Sequence, residues 1–165
     1  MIDLHAHLLP GLDDGPASLA ASVEMARAAH EAGIGTVVCT PHMSERYPTE
    51  PGAVVEAVRL LAEALEAAGV ALEVVPGAEI ALPHVARIDD DELRQASLGG
   101  GGRCLLLEMP FQGWPLTLPA LLADLEIRGY GVIIAHPERA EAIQRAPDRM
   151  RDLVGRGALV QLTAG

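Results

Sequence analysis

The chain has 165 residues, of which half are hydrophobic and 2% are aromatic, so it is long enough for one domain with one packed core. Its 12 basic residues are all arginines, and with 23 acidic residues the formal net charge is −11. A surface this acidic argues against nonspecific binding to nucleic acid or to an anionic membrane. The absence of lysine also excludes lysine Schiff-base chemistry and a Walker-type phosphate loop.

Short, continuous apolar runs alternate with helical patterns along the chain. Such runs are typical of parallel strands that are covered on both faces. The predicted strands are residues 1–4, 35–40, 71–76, 103–108, 131–135 and 158–162. The predicted helices between them are residues 19–32, 51–68, 90–96, 118–128 and 147–154.

Capping residues mark several of these helices. Ser18 is expected to cap the first helix and Gly33 to end it, and Thr117 is expected to cap the helix that Gly129 ends. The alternation of strands and helices predicts an α/β fold with a parallel sheet, closed or nearly closed into a barrel. Because a full (β/α)₈ barrel takes about 250 residues, six strands in this length predict a partial barrel.

Histidines and carboxylates follow or end every predicted strand except the last. His5 and His7 form an H-A-H segment, and D-D-G-P comes shortly after them. In parallel α/β barrels, active sites are built at the carboxyl ends of the strands, so these side chains are expected to converge. In chain order they are His5, His7, Asp13, Asp14, His42, Glu79, Glu108 and His136.

Imidazole and carboxylate ligands without thiolate suit zinc, manganese or iron. Two such ions, about 3.5–4 Å apart, can hold a hydroxide between them and clamp a phosphoryl group. The expected reaction is therefore metal-assisted hydrolysis, most simply of a phosphate ester. Cysteine chemistry is not expected, because Cys39 and Cys104 lie in apolar runs and neither has an arginine six positions later. No G-x-S-x-G nucleophile elbow occurs either.

The motifs M-I-D-L-H-A-H, D-D-G-P, V-V-C-T-P-H, P-G-A-E and A-H-P-E-R together resemble the PHP (polymerase and histidinol phosphatase) superfamily. Within it, D-D-G-P after H-x-H is similar to the bacterial protein tyrosine phosphatases of capsule and exopolysaccharide synthesis, the CpsB/CapC/YwqE group. The resemblance covers the whole chain in order. It implies a distorted (β/α)₇ barrel and a cluster of up to three divalent ions, with manganese first and iron or zinc as alternatives.

The resemblance also implies a role for each matching residue. His5, His7 and Glu79 would hold a first ion, and Glu79 would bridge to a second ion held by Glu108 and His136. Asp14 and His42 would hold a third.

Arg139, in H-P-E-R, would bind the phosphate, and Arg46 is a second candidate for that role. The alternative for Arg139 is a surface ion pair with Glu138 or Glu141. Phe111 and Trp114 follow Glu108 and are expected either to rim the substrate pocket or to cap the barrel end.

The family pattern continues to a D-x-H motif that this chain lacks, so residues 1–165 are expected to be one domain without its last strand or strands. The leading functional hypothesis is a phosphatase of protein phosphotyrosine, with a bacterial tyrosine kinase of polysaccharide synthesis as the expected substrate protein. The alternatives are a phosphatase of small metabolites, of the histidinol phosphate type, and an inactive metal-binding interaction module. The chain has no leader-like or membrane-spanning run, so we expect a cytoplasmic protein that does not insert into a membrane, with homo-oligomers left open.

Overall fold

A computed structural model describes residues 1–163 as short strands alternating with helices. The strands are β1 (Ile2–Ala6), β2 (Thr36–Cys39), β3 (His42–Met43), β4 (Glu73–Pro76), β5 (Glu79–Ala81), β6 (Cys104–Glu108), β7 (Gly131–Ala135) and β8 (Leu159–Gln161). The helices are α1 (Leu19–Glu31), α2 (Pro51–Ala67), α3 (Leu82–Val85), α4 (Asp90–Ala96), α5 (Leu118–Ile127), α6 (Glu141–Arg145) and α7 (Asp148–Gly155).

The strands form two parallel sheets, in the orders β1-β2-β4 and β3-β5-β6-β7-β8. The predicted α/β class with parallel strands is therefore confirmed. Within residues 1–163 no hydrogen-bonded strand pair joins the two sheets. No helix in the same range is long and apolar enough to cross a membrane.

The sequence prediction missed the two short strands β3 and β5. The chain leaves the first sheet after β2, passes Thr40 and Pro41, and enters the second sheet at His42; it does the same after β4, through Gly77 and Ala78, to reach Glu79. His42 and Glu79 thus begin strands of the second sheet, where the prediction had them trailing strands of the first. Runs of two and three residues are too short to show a period of their own.

Helix boundaries agree with the capping signals in part. The Ser18 hydroxyl accepts a hydrogen bond from the Ala21 N–H at 3.3 Å, so Ser18 caps α1 as predicted. The prediction that Thr117 caps α5 is wrong, because its side chain makes no capping hydrogen bond and its backbone is already helical. Pro119 in the first turn favours the start of this helix by its fixed φ.

The two largest hydrophobic clusters hold the helices against the sheets. The first sheet packs on α1 and α2 through residues such as Val37, Val54 and Leu61. The second sheet packs on α4 and α5 through residues such as Ile80, Leu105 and Leu125. The strands are thereby held rigidly enough that side chains at their carboxyl ends have defined positions.

Candidate metal centre

A cavity of about 490 Å³ opens where the carboxyl end of β1 faces the second sheet. All nine site residues predicted from the sequence line it: His5, His7, Asp14, His42, Arg46, Glu79, Glu108, His136 and Arg139. Strand register explains part of this convergence, because His42 pairs with Glu79 across β3 and β5, and Glu108 pairs with Ala135, next to His136.

Glu79 lies at the centre of the cavity floor, with its carboxylate fully buried. Its Oε2 atom is 3.2 Å from His5 Nε2, 3.2 Å from His7 Nε2 and 3.1 Å from His42 Nδ1. None of these contacts has hydrogen-bond geometry, so Oε2 is a buried acceptor without a partner. Its other oxygen, Oε1, lies 2.6 Å from His136 Nε2.

The donor set fits divalent metal ions. His5 Nε2 and His7 Nε2 are 3.3 Å apart, which is close to the spacing of two nitrogens that each lie about 2.1 Å from one ion. Two sets of ligand atoms are compact enough to hold an ion around Glu79: His5, Glu79 and His136, and His7, His42 and Glu79. A buried carboxylate with an orphaned oxygen is costly in a protein interior unless a cation compensates it.

The set that the resemblance implies for a first ion, His5, His7 and Glu79, is equally compact, with its ligand atoms 3.2–3.3 Å apart. His136 lies with His5 and Glu79, and His42 lies with His7 and Glu79. Glu108 stands farther off, with Oε2 3.9 Å from His42 Nδ1. Burial and the neighbouring Glu79 carboxylate raise the pKa of Glu108. Such repulsion between two carboxylates is what a bridging cation relieves.

Asp14 lies at the mouth, 62% exposed, with Oδ1 3.8 Å from His7 Nδ1 and 3.7 Å from His42 Nε2. A third compact set combines it with His7 and Asp13. Asp14 is therefore placed where an outer ion would lie.

Asp13 is a candidate positioning residue that the sequence prediction did not include among the ligands. Its carboxylate is fully buried and accepts hydrogen bonds from the Gly15 and His42 N–H groups, at 2.9 and 2.8 Å, with His7 Nδ1 at 2.6 Å. A carboxylate behind a histidine fixes the ring so that its other nitrogen faces the ion. The D-D-G-P motif contained the signal, but two adjacent acids do not reveal which one turns inward.

Close packing explains why the third residue of D-D-G-P, Gly15, is a glycine. A Cβ on Gly15 would lie 2.8 Å from the His7 carbonyl oxygen and 3.0 Å from Asp13 Oδ1. The loop can therefore close over His7 and Asp13 only with glycine at this position.

His136 adopts a left-handed backbone, with φ 29° and ψ 53°. This conformation is strained for a residue with a side chain. It turns the chain sharply after β7, and it brings the ring nitrogen to Glu79.

Both predicted arginines line the cavity and are exposed. The alternative for Arg139, an ion pair with Glu138 or Glu141, is not formed among residues 1–163, where Glu141 pairs with Arg145 instead. The Arg46 guanidinium lies 5.0 Å from the centre of the Tyr47 ring, and that ring stacks on His42 at 5.5 Å.

The two aromatic candidates have different positions. Phe111 lines the cavity and is 55% exposed. Trp114 is not part of the cavity lining; it packs against the core, with Arg149 4.8 Å over its ring. Of the two, Phe111 alone is placed to meet a substrate.

The protonation states of the inner groups depend on one another. Burial lowers the pKa of His7, but the close carboxylates of Asp13 and Glu79 outweigh it and raise the pKa to about 10. Burial raises the pKa of Glu79, but the close imidazoles of His136, His5 and His7 hold it far below its usual range. Glu79 is therefore ionised at any physiological pH, as a metal ligand must be.

Thiol chemistry is not available at this site. Cys39 is completely buried in β2, and burial raises the pKa of its thiol to about 12. A protonated, inaccessible thiol is a poor nucleophile.

Comparison with known proteins agrees with this geometry. A family model described as capsular polysaccharide synthesis, CpsB/CapC, matches residues 1–165. The chain belongs to this family. The fold also matches a solved structure at a TM-score of 0.88 and 39% identity, covering 98% of this chain and 66% of the other. The description of the matched structure names YwqE from Bacillus subtilis and CpsB from Streptococcus pneumoniae as metal-dependent tyrosine phosphatases.

Relatives in sequence carry similar names. The chain is 40% identical to the tyrosine-protein phosphatase YwqE of Bacillus subtilis, over all of this chain and 65% of the relative. It is 32% identical to the putative tyrosine-protein phosphatase CapC of Staphylococcus aureus, over 99% of this chain and 64% of the relative. The chain therefore spans slightly less than two thirds of the length of these relatives.

Proposed function

We propose that this chain carries the main part of the active site of a metal-dependent phosphatase that hydrolyses phosphotyrosine in proteins. The observation that carries the proposal is the Glu79 carboxylate, which is buried among imidazole nitrogens of four histidines. Membership of the CpsB/CapC family supports it, because the relatives are named tyrosine-protein phosphatases.

Up to three ions would be held here, with manganese the first expectation and iron or zinc the alternatives. The five inner residues, His5, His7, His42, Glu79 and His136, would hold two of these ions. Glu108 would approach this pair from β6, and Asp14 would reach an ion nearer the mouth. Bound ions of this kind activate water at neutral pH and neutralise charge on a transferring phosphoryl group.

The chain's own residues would bind and orient the substrate. Arg139 and Arg46 have no carboxylate partner among residues 1–163, so their guanidinium groups are available to a phosphate. A guanidinium can donate two parallel hydrogen bonds to phosphate oxygens, which fixes the orientation of the ester.

Aromatic residues at the cavity support an aryl phosphate as substrate. The chain has only four Phe, Trp and Tyr residues, and two of them, Tyr47 and Phe111, line this cavity. An exposed Phe111 would cover the face of a tyrosine ring whose phosphate reaches the inner histidines. As substrate protein we propose a bacterial tyrosine kinase of polysaccharide synthesis, since the family is described by capsular polysaccharide synthesis.

The test is hydrolysis of a phosphotyrosine peptide by purified protein, first stripped with EDTA and then reloaded with manganese, iron or zinc. We expect activity to disappear with EDTA and to return with at least one metal, with bound metal counted by mass spectrometry. Activity that survives complete metal removal would refute the proposal.

The two alternatives give different results in the same assay. A metabolite phosphatase would hydrolyse histidinol phosphate, an alkyl ester, with a higher kcat/KM than the peptide. An inactive metal-binding module would take up metal without hydrolysing either substrate. We expect the aryl ester to be preferred.

A further inference from the structure

We propose that Gln161 is a positioning residue for the metal site: it selects the tautomer of His5 and ties His5 to His136 across the two sheets. The inference rests on the proposed metal site, because it concerns how two of its ligands are oriented. Gln161 is the last residue of β8 and is paired with Ala135, the residue before His136.

The side-chain amide of Gln161 faces both ligands. Its Oε1 atom accepts a hydrogen bond from the His136 N–H at 3.3 Å and lies 3.0 Å from His5 Nδ1. Its Nε2 atom donates to the Leu162 carbonyl oxygen at 3.1 Å. Both ends of the amide are therefore engaged.

These contacts determine the orientation of the amide. The His136 N–H can only donate, so the amide oxygen must be the atom that faces it. The same oxygen faces His5 Nδ1, and since an amide oxygen only accepts, Nδ1 must carry a proton. His5 is then free to direct the Nε2 lone pair toward Glu79 and an ion.

Gln161 also links the two sheets, which no strand pairing joins within residues 1–163. His5 lies in β1 of the first sheet, and Gln161 lies in β8 of the second. Its hydrogen bond to the His136 N–H helps to hold the left-handed turn at that residue. One side chain therefore sets the distance between two candidate ligands from different sheets.

The two histidines of H-A-H are thus supported by different chemistry. Asp13 supports His7 with a charged carboxylate, and Gln161 supports His5 with a neutral amide. Around a cluster that already contains Glu79 and Glu108, an amide orients the ring without adding a further negative charge.

The test compares Gln161→Leu, Gln161→Glu and a matched control, Gln95→Leu, which changes an exposed glutamine in α4 outside the cavity. Leucine removes the acceptor and glutamate keeps it. We expect zinc affinity, measured by chelator competition on purified protein, to fall about 10- to 100-fold in Gln161→Leu. Gln161→Glu should recover most of that loss, and Gln95→Leu should match the parent protein.

A second measurement does not depend on any variant. Nitrogen-resolved NMR of the zinc-loaded parent protein should show His5 bound through Nε2, with a slowly exchanging proton on Nδ1. Ligation of His5 through Nδ1, or an affinity for zinc unchanged in a folded Gln161→Leu protein, would overturn the inference. A parent protein that binds no metal would instead refute the proposed function.

Discussion

The inner and outer parts of the cavity differ in how their side chains are held. The inner part consists of His5, His7, His42, Glu79 and His136, which are mostly buried, and each histidine has a ring nitrogen 2.6–3.2 Å from a Glu79 carboxylate oxygen. The outer part consists of Asp14, Arg46 and Arg139, which are exposed.

The supporting contacts differ in the same way. His7 has Asp13 behind it and His5 has Gln161, whereas Asp14 approaches its nearest partners only at 3.7–3.8 Å. A metal site needs ligands that are held in position before the ion binds. A phosphate can instead be bound by exposed side chains that move toward it. We therefore expect inner substitutions to remove metal and substitutions of the outer arginines, Arg46 and Arg139, to weaken substrate binding.

The largest effect is expected from Glu79→Gln. An amide cannot bridge two cations as a carboxylate does, so metal content should fall and kcat/KM should drop at least about 1000-fold, or about 4 kcal/mol. The measurement is hydrolysis of a phosphotyrosine peptide, together with metal analysis. Glu66→Gln, on the exposed face of α2, is the matched control. Full metal occupancy in an active Glu79→Gln protein would contradict the role of Glu79 as a metal ligand.

A smaller effect is expected from Asp13→Asn. The Asp13 carboxylate accepts from three groups, and the asparagine amide has one acceptor oxygen to replace its two. Metal affinity should fall about 10- to 100-fold, as for other residues behind a ligand. Isothermal titration with manganese measures it, with Asp152→Asn, exposed on α7, as the control. An equal loss of manganese affinity in both variants would mean that Asp13 does not position His7 for metal binding.

Arg139→Met tests the outer part, where we expect substrate binding to weaken without loss of metal. Losing a charge-assisted hydrogen bond to phosphate costs about 1.5–2 kcal/mol, so kcat/KM should fall about 10- to 30-fold, mostly through KM. Metal content should stay at the parent level. Arg145→Met, whose parent side chain pairs with Glu141, is the control. Loss of metal in Arg139→Met would show that the two parts are not separable.

The smallest effect concerns the stability of the metal-free protein. Because the pKa of His7 is raised from 6.5 to about 10, its ion pair with Asp13 stabilises the fold fully below pH 6.5, and this contribution is lost as pH rises through about 10. The melting temperature should therefore fall by a few degrees over that window, since 1 kcal/mol corresponds to about 2–4 °C at this size. In Asp13→Asn, the melting temperature should fall less steeply over this pH range. An equally steep fall would mean that a group other than His7 causes the pH dependence.

The sequence predicted the parallel α/β class and the convergence of the site residues, and both follow from local patterns. Continuous apolar runs indicate buried parallel strands, and a polar residue at the end of such a run lies at the edge of the sheet. His5, His7 and Glu79 could be placed in one cavity by this reasoning alone, because the H-A-H spacing puts both rings on one side of an extended segment.

Other features were beyond sequence reasoning because they depend on distant partners. The split into two sheets at His42 and Glu79 follows from where each two- or three-residue strand finds a neighbour. That Asp13 turns inward and Asp14 outward follows from donors on Gly15, His7 and His42. The roles of the individual ligands also depend on distances that no spacing along the chain determines.

What the sequence by itself determined, then, is the kind of chemistry: imidazoles and carboxylates at the ends of buried strands, with no lysine and no reactive thiol. Only the tertiary structure decided which atoms face each other. Gln161 shows the difference most clearly, because nothing local marks it, yet its amide lies 156 positions from His5 and 3.0 Å from its ring. The order of residues along strands follows from local patterning, whereas the meeting of two sheets is a long-range packing event.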